Sequence, residues 1–184
     1  LRGEVLIDQR TCSDKVAMAL KEAGCDVVEG RDPCILPKAC KNDTEIAGTK
    51  VAHERDAVAM VRFLAWLDEQ ALKSGLTEID VVKALEGFRM QTNALRDISF
   101  ETICGAGPNG AIVHYRVSED TNRPVAEGDL LLADSGGQYI DGTTDITRTV
   151  AIGAPGDDER ACFTRVLQGM IAISRLRWPA GLAG

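Results

Sequence analysis

The sequence predicts a β-hairpin at residues 130–150, with Asp134 and Asp145 on its two neighbouring strands. Asp141-Gly142, between them, is a strong signal for a two-residue turn. The apolar run LLLA places Asp134 in a low-dielectric setting, where two carboxylates without partners repel each other. A bound cation, or protonation of one carboxylate, would resolve that repulsion. The pattern therefore favours a site for hard divalent metal ions.

A turn centred on Asp141-Gly142 conflicts with a shared metal site. It would pair Asp145 with Gln138 and leave Asp134 four residues, about 13 Å, further along its strand. The alternation of side chains still puts both aspartates on one face, and a longer loop or a bulge at Gly136-Gly137 would bring them opposite each other. The sequence thus predicts that the simple turn is not used.

Composition excludes several classes of protein. The 21 Lys and Arg residues against 28 Asp and Glu residues give a net charge of −7 without a basic cluster, which argues against nucleic-acid binding. No apolar run approaches the roughly 18 residues of a membrane span, so we expect no membrane partner and a cytoplasmic location. The six cysteines form no CxxC pair, so we expect reduced and mostly buried thiols.

Hydrophobic periodicity predicts the order of the elements. A strand, a helix at 12–23 and a second strand form a strand–helix–strand unit, which is typical of the end of an α/β domain. A long amphipathic helix capped at Asn42 or Asp43 and a second helix capped at Thr77 follow. Trp66 is interpreted as core packing of the long helix and His53 as a helix histidine with its hydrogen bonds satisfied. The predicted buried stripe of this helix comprises Ile46, Val51, Ala57, Met60, Phe63, Leu64 and Leu67. Strands are predicted at 101–105, 111–115, 129–133, 138–140 and 145–152, and a last helix at 157–177.

Three motifs carry a family resemblance. The runs SFETICGAGPNGAIVHYR, DSG with Asp134, and DGTTDITRTV with Asp145 closely resemble the aminopeptidase P, or Xaa-Pro aminopeptidase, family of the creatinase, prolidase and methionine aminopeptidase fold. The resemblance extends back through 38–69 and forward into RLRWPAG. It implies an α+β fold, the first half of a pita-bread catalytic domain at 37–184, preceded by the end of an α/β domain at 1–36.

The resemblance also implies a function and its residues. It suggests a metallopeptidase that releases an N-terminal residue preceding proline, with two divalent metal ions. Asp134 would bind one metal, Asp145 would bridge both, and His114 would contact the substrate. Manganese is the expected metal, with zinc or cobalt as alternatives, because carboxylate and imidazole ligands suit harder ions. Peptides with proline in second position are the expected partners, and the full-length enzyme is expected to form a homodimer.

The candidate site residues and the function also have alternative interpretations. Asp134 could cap a turn, Asp145 could pair with Arg148, and His114 could be an edge-strand residue bonded to backbone. Arg148 is otherwise expected to support the acidic pair. A prolidase-type dipeptidase, a creatinase-like hydrolase and a non-catalytic binding module are alternative functions. The remaining ligands and the general base are expected beyond Gly184, so no catalytic residue is assigned, and this piece alone is expected to be inactive.

Overall fold

A parallel strand–helix–strand unit begins the chain. The computed structural model describes residues 3–182 and separates into two units that divide between Ile46 and Ala47. In the first unit, β1 (Gly3–Ile7) and β2 (Cys25–Glu29) pair in parallel, and α1 (Asp14–Glu22) connects them. The predicted strand–helix–strand pattern is confirmed. A short helix, α2 (Ile35–Ala39), follows. The predicted domain limits, 1–36 and 37–184, stay a prediction.

Two capped helices come next in the chain. Helix α3 (Asp43–Gln70) follows Asn42, whose side-chain oxygen accepts a hydrogen bond from the Glu45 backbone N–H at 2.9 Å. Helix α4 (Glu78–Met90) begins with a complete capping box between Thr77 and Asp80. In each case a short polar side chain satisfies a backbone donor that the first helical turn leaves free. Both predicted starts are confirmed.

The strands of the second unit are antiparallel and short. Strand β3 (Leu95–Ile98) pairs with β6 (Gly137–Tyr139), and β4 (Ile103–Ala106), β5 (Leu130–Ser135) and β7 (Ile146–Ala151) form one sheet in the order β4-β5-β7. Strand β3 was not predicted. The predicted strand at 111–115 is wrong, because Gly107–Ala111 forms a 3₁₀ helix and the following residues form a turn.

The main core lies between α3, α4 and one face of the β4-β5-β7 sheet. Phe63, Leu67, Leu85 and Leu131 are fully buried in it. Trp66 packs against its edge, stacked on Phe63 with ring centroids 6.1 Å apart. Because alternate residues of β5 point to opposite faces, Leu131, Ala133 and Ser135 are buried while Asp134 lies on the other face.

The buried stripe of α3 differs from the one that apolar spacing suggests. Val51 is 47% exposed, whereas Ala52, Ala59, Met60, Phe63 and Leu67 are buried. Asp56 is also completely buried on this stripe. His53, by contrast, is exposed, and its ring nitrogen bonds the carbonyl of Thr49 at 2.8 Å, as expected of a satisfied helix histidine.

The hairpin turn docks closely on α3. A side chain at Gly48 of α3 would overlap the carbonyl oxygen of Asp141, and a Cβ on Gly142 would lie 3.0 Å from the Cβ of Ala52. Arg55 completes this contact, because its guanidinium binds both carboxylate oxygens of Asp141, at 2.9 and 3.0 Å. Glycines therefore serve here to let a helix and a turn approach backbone to backbone.

The last helix, α5 (Asp157–Ser174), has no buried residue. It borders an open, mainly apolar groove of about 920 Å³ whose other side includes Leu130 and Leu132 of β5. Val166 and Ile173 are 73% and 65% exposed. The chain therefore leaves a large apolar surface uncovered. None of the helices within residues 3–182 combines the length and the apolar character of a membrane span.

We predict opposite effects from two helical Gly→Ala substitutions. Gly48→Ala should lower the free energy of unfolding by about 1–3 kcal/mol, because the new methyl group pushes the Asp141 turn away from α3. Gly87→Ala in α4 is the control, because its methyl group would meet no atom within 4 Å. It should raise that free energy by about 0.5–1 kcal/mol. Urea denaturation followed by circular dichroism measures both, and equal effects would contradict the close docking of the turn on α3.

Candidate metal centre

Asp134 and Asp145 lie on the two arms of the hairpin. Asp134 is the fifth residue of β5 and pairs with Thr147, and Asp145 is the residue immediately before β7. Asp134 is half-buried and Asp145 is exposed. The Thr147 hydroxyl donates to the Asp134 carboxylate at 2.7 Å.

The turn lies one residue earlier than Asp141-Gly142. Tyr139 N–H donates to the Gly142 carbonyl and Thr144 N–H to the Gly137 carbonyl, each at 2.9 Å, so Ile140 and Asp141 form the turn. The prediction that the simple turn is not used is confirmed. The alternative that we expected, a longer loop or a bulge at Gly136-Gly137, is wrong, because pairing continues from Gly137 to Ser135 without an extra residue.

This register makes the two aspartates diagonal neighbours. Relative to a turn at Asp141-Gly142, the partner of Asp134 changes by two residues, from Thr149 to Thr147, which preserves the face of every side chain. Diagonal residues of an antiparallel pair lie about 7–8 Å apart. Carboxylates extending from that distance are able to share metal ions about 3.5–4 Å apart.

The surroundings of the pair suit cations. Among the described residues, neither aspartate forms an ion pair, and no third acidic, histidine or cysteine ligand completes a cluster. Arg148 donates to the carbonyl of Thr147, so the expectation that it supports the acidic pair is wrong. Two oxygen ligands without a protein counter-charge match the preference of hard divalent ions.

His114 lies in a different local structure from the one predicted. It is exposed and occupies a turn after the 3₁₀ helix, with φ of 55°. A positive φ is uncommon for a residue other than glycine, and such backbone concentrates at functional sites. His114 forms no hydrogen bond with either aspartate within the described part of the chain, so the structure brings the aspartates together but does not join His114 to them.

A buried carboxylate fastens the segment that carries His114. Glu78, fully buried at the start of α4, accepts hydrogen bonds from Ala106 N–H at 2.7 Å and from the Tyr115 hydroxyl at 2.9 Å. The Asn109 amide and the backbone N–H of Arg123 also donate to it. Burial is the largest cause that raises the pKa of Tyr115, so this hydroxyl stays a donor. Both ends of the 106–123 segment are therefore held by one residue.

A second buried carboxylate, Asp56, joins α3 and α4 to the hairpin. Arg89 of α4 donates to its two oxygens at 2.7 and 3.1 Å. The Tyr139 hydroxyl donates to it at 2.7 Å and the Thr144 hydroxyl at 2.9 Å. Sequence reasoning missed this cluster. The available signal was a charged residue at helical spacing from Ala52 and Met60.

Burial and hydrogen bonding act in opposite directions on Asp56. Burial raises its pKa, but the hydrogen bonds from Arg89, Tyr139 and Thr144 together outweigh burial and hold the pKa below its ordinary value of 3.8. The Asp56 carboxylate is therefore ionised in the folded state. Burial and the bond to Asp56 raise the pKa of Tyr139 well above its usual range.

The cysteines take no part in this centre. All six are free, but only Cys25 and Cys104 are buried, so the expectation of mostly buried thiols is wrong. Burial raises the pKa of Cys104 to about 12, which makes it a poor metal ligand or nucleophile.

Comparison with known sequences identifies a family. Residues 47–184 match the model of metallopeptidase family M24. The chain is 45% identical to Xaa-Pro aminopeptidase 1 of Dictyostelium discoideum over 163 residues, which cover 86% of this chain and 26% of that protein. It is 48% identical to aminopeptidase P2 of Arabidopsis thaliana, covering 84% and 22%. The chain thus spans about a quarter of the length of these relatives.

Solved structures share the fold. An X-prolyl aminopeptidase from Caenorhabditis elegans, described as a cytosolic enzyme with a di-nuclear active site, matches with a TM-score of 0.78 and 28% identity over 98% of this chain and 37% of its own. An Xaa-Pro dipeptidase from Bacillus anthracis matches with a TM-score of 0.76 and 27% identity over 92% and 45%. The predicted α+β fold of this family is confirmed.

We predict that Asp56 makes stability depend on pH. Its folded-state pKa is lowered, so its contribution is present above the ordinary value of 3.8 and is lost as the pH falls through the lower folded-state value. Asp56→Asn should remove this dependence and cost about 3–5 kcal/mol at pH 7, because Arg89 becomes an unpaired buried charge. Urea denaturation between pH 7 and pH 3 measures both effects.

Asp68→Asn is the matched control, because Asp68 is exposed on the same helix. It should change the free energy of unfolding by less than about 0.5 kcal/mol. An Asp56→Asn protein as stable as the wild type would contradict the role given to the buried pair.

Proposed function

We propose, from the premise that this chain belongs to metallopeptidase family M24, that it is the first part of the catalytic domain of a metal-dependent Xaa-Pro aminopeptidase. The observation that carries the proposal is the diagonal placement of Asp134 and Asp145 on one sheet face, where no residue of the described range 3–182 forms an ion pair with either. The naming of the Dictyostelium and Arabidopsis relatives supports the choice of reaction.

In this proposal Asp134 and Asp145 hold two divalent metal ions. The di-nuclear site described for the C. elegans enzyme supports the number of ions. Asp145, exposed just before β7, would be the bridging ligand, and Asp134, which accepts a hydrogen bond from the Thr147 hydroxyl, would bind one ion. Such ions would lower the pKa of bound water and polarise a carbonyl oxygen. Manganese is the proposed metal, because oxygen ligands suit hard ions.

His114 is proposed to bind substrate. Its exposed ring stands on a turn whose next residue, Tyr115, is buried and bonded to Glu78. An imidazole held in this way is able to donate a hydrogen bond to a peptide carbonyl. The proposed substrates are peptides with proline in second position. A cytoplasmic location and a homodimer are further parts of the proposal for the full-length protein.

A prolidase-type dipeptidase is the second candidate, favoured by the structural match to the Bacillus anthracis Xaa-Pro dipeptidase. Both reactions cleave a bond to proline, so the same metal ligands serve either one. Substrate length separates them, because a dipeptidase acts on Xaa-Pro while an aminopeptidase releases the first residue of a longer Xaa-Pro peptide.

We predict that the full-length protein releases the first residue of an Xaa-Pro-Xaa tripeptide only with added manganese. Asp145→Ala should lower this rate at least about 100-fold, because the bridging ligand is lost. Asp68→Ala, on the exposed face of α3, should leave the rate unchanged. His114→Ala should lower kcat/KM while the manganese affinity stays the same. Chromatographic detection of the free amino acid measures each rate.

The outcomes separate the candidate functions. Cleavage of Xaa-Pro dipeptides with no cleavage of tripeptides would establish the dipeptidase. Activity without any metal would favour a creatinase-like hydrolase, and metal binding without cleavage of either peptide would favour a non-catalytic binding module.

We predict that the 184-residue chain by itself is inactive, binds manganese weakly and self-associates. Two carboxylates are too few ligands for a tight dinuclear site, and the apolar face of α5 is uncovered. The tripeptide assay tests the activity, isothermal titration the manganese affinity and sedimentation velocity the association. A monomer with micromolar manganese affinity would contradict the last two expectations.

A further inference from the structure

Every polar atom of Thr144, the residue before Asp145, takes part in a hydrogen bond. It is completely buried. Its N–H donates to the Gly137 carbonyl at 2.9 Å, and its own carbonyl accepts from the Ser99 hydroxyl at 3.0 Å. Its hydroxyl accepts from the Gly137 N–H at 2.9 Å and donates to Asp56 at 2.9 Å. Four hydrogen bonds therefore hold the residue that leads into Asp145.

The strand opposite Asp145 is held as firmly. A side chain at Gly136 would overlap both the Thr144 carbonyl and the Ser99 hydroxyl, so the two strands and Ser99 are in close contact here. Ser99 N–H donates to the Gly136 carbonyl at 3.1 Å. On the far side of Asp145, Ile146 pairs with Ser135, the neighbour of Asp134. The separation of the two aspartates is thus set by Thr144 and its partners.

Asp56 is the point at which this arrangement joins the rest of the domain. Its carboxylate holds Thr144 on one oxygen and Tyr139 on the other, and both oxygens are held by Arg89 of α4. Because Asp56 lies in the middle of α3 and Arg89 near the end of α4, the two helices fix where the Thr144 hydroxyl lies.

We propose that Asp56 and Thr144 are positioning residues for the metal pair, with Asp56 fixing the bridging carboxylate of Asp145 through the buried Thr144 hydroxyl. The inference rests on the proposed metal function of Asp134 and Asp145. It assigns to Asp56 a role in metal affinity as well as in stability, although Asp56 has no contact with the site itself.

Tyr139 supplies a matched comparison inside the same cluster. Its hydroxyl donates to Asp56 at 2.7 Å, much as Thr144 does at 2.9 Å, and both side chains are buried. Tyr139, however, lies six residues before Asp145, at the other end of the turn. Loss of either hydroxyl weakens the support of the Asp56 carboxylate, but only loss of the Thr144 hydroxyl frees the backbone next to the bridging ligand.

The experiment measures manganese binding by isothermal titration in the full-length protein after removal of metal. Thr144→Val, which preserves side-chain shape, should raise the dissociation constant for manganese about 10-fold. An effect of this size is typical when a residue that orients a metal ligand is lost. Thr144→Ser should restore it, because the hydroxyl returns. Tyr139→Phe should leave it unchanged. Urea denaturation of the same variants should show that Thr144→Val and Tyr139→Phe lose similar stability.

Ser99→Ala tests the same inference without changing the Asp56 cluster. It removes the bond to the Thr144 carbonyl and should weaken manganese binding in the same direction as Thr144→Val. This second variant keeps the test decisive if Thr144→Val does not fold.

The possible results are distinct. Equal manganese affinity in wild type, Thr144→Val and Ser99→Ala would overturn the positioning role while leaving the metal function intact. Equal weakening by Thr144→Val and Tyr139→Phe would also overturn it, because the effect would then follow general stability. Absence of manganese binding in the wild type would instead overturn the proposed function.

Discussion

The buried carboxylate of Asp56 is the interaction on which the second unit depends. A charge inside a core is unfavourable unless hydrogen bonds replace its hydration, and here Arg89, Tyr139 and Thr144 supply four of them. These partners come from α4 and from both arms of the hairpin. A different hairpin register would move Tyr139 and Thr144 away from the carboxylate and remove two of its four donors, so the cluster favours one arrangement of three elements.

A buried carboxylate supports each segment that carries a proposed functional residue. Asp56 fixes the hairpin that carries Asp145, and Glu78 fixes the turn that carries His114. In both cases a fully buried carboxylate on a helix accepts hydrogen bonds from the segment that carries the proposed functional residue. The side chains proposed to bind metal or substrate are therefore supported by rigid helices through short polar links, which limits their motion.

Local sequence signals predicted the elements that depend on local forces. The caps at Asn42 and Thr77 were found because a short polar side chain satisfies nearby backbone donors, whatever the tertiary structure. The strand at 111–115 was predicted from apolar residues, yet these follow a 3₁₀ helix with positive φ at Gly107 and at His114, and Ile112 and Val113 are exposed. Apolar character alone does not distinguish a buried strand from an exposed turn.

The sequence by itself identified the two aspartates as candidate metal ligands, the sheet face that they share and the family. Side-chain alternation and the motifs around the aspartates are properties of the chain alone. Tertiary structure decided the register that makes them diagonal neighbours. Asp141-Gly142 has the chemistry of a turn, but Asp141 binds Arg55 and Gly142 packs against Ala52, so contact with α3 moves the turn to Ile140-Asp141. The spacing of the candidate ligands thus depends on residues more than eighty positions earlier, and no local pattern contains that information.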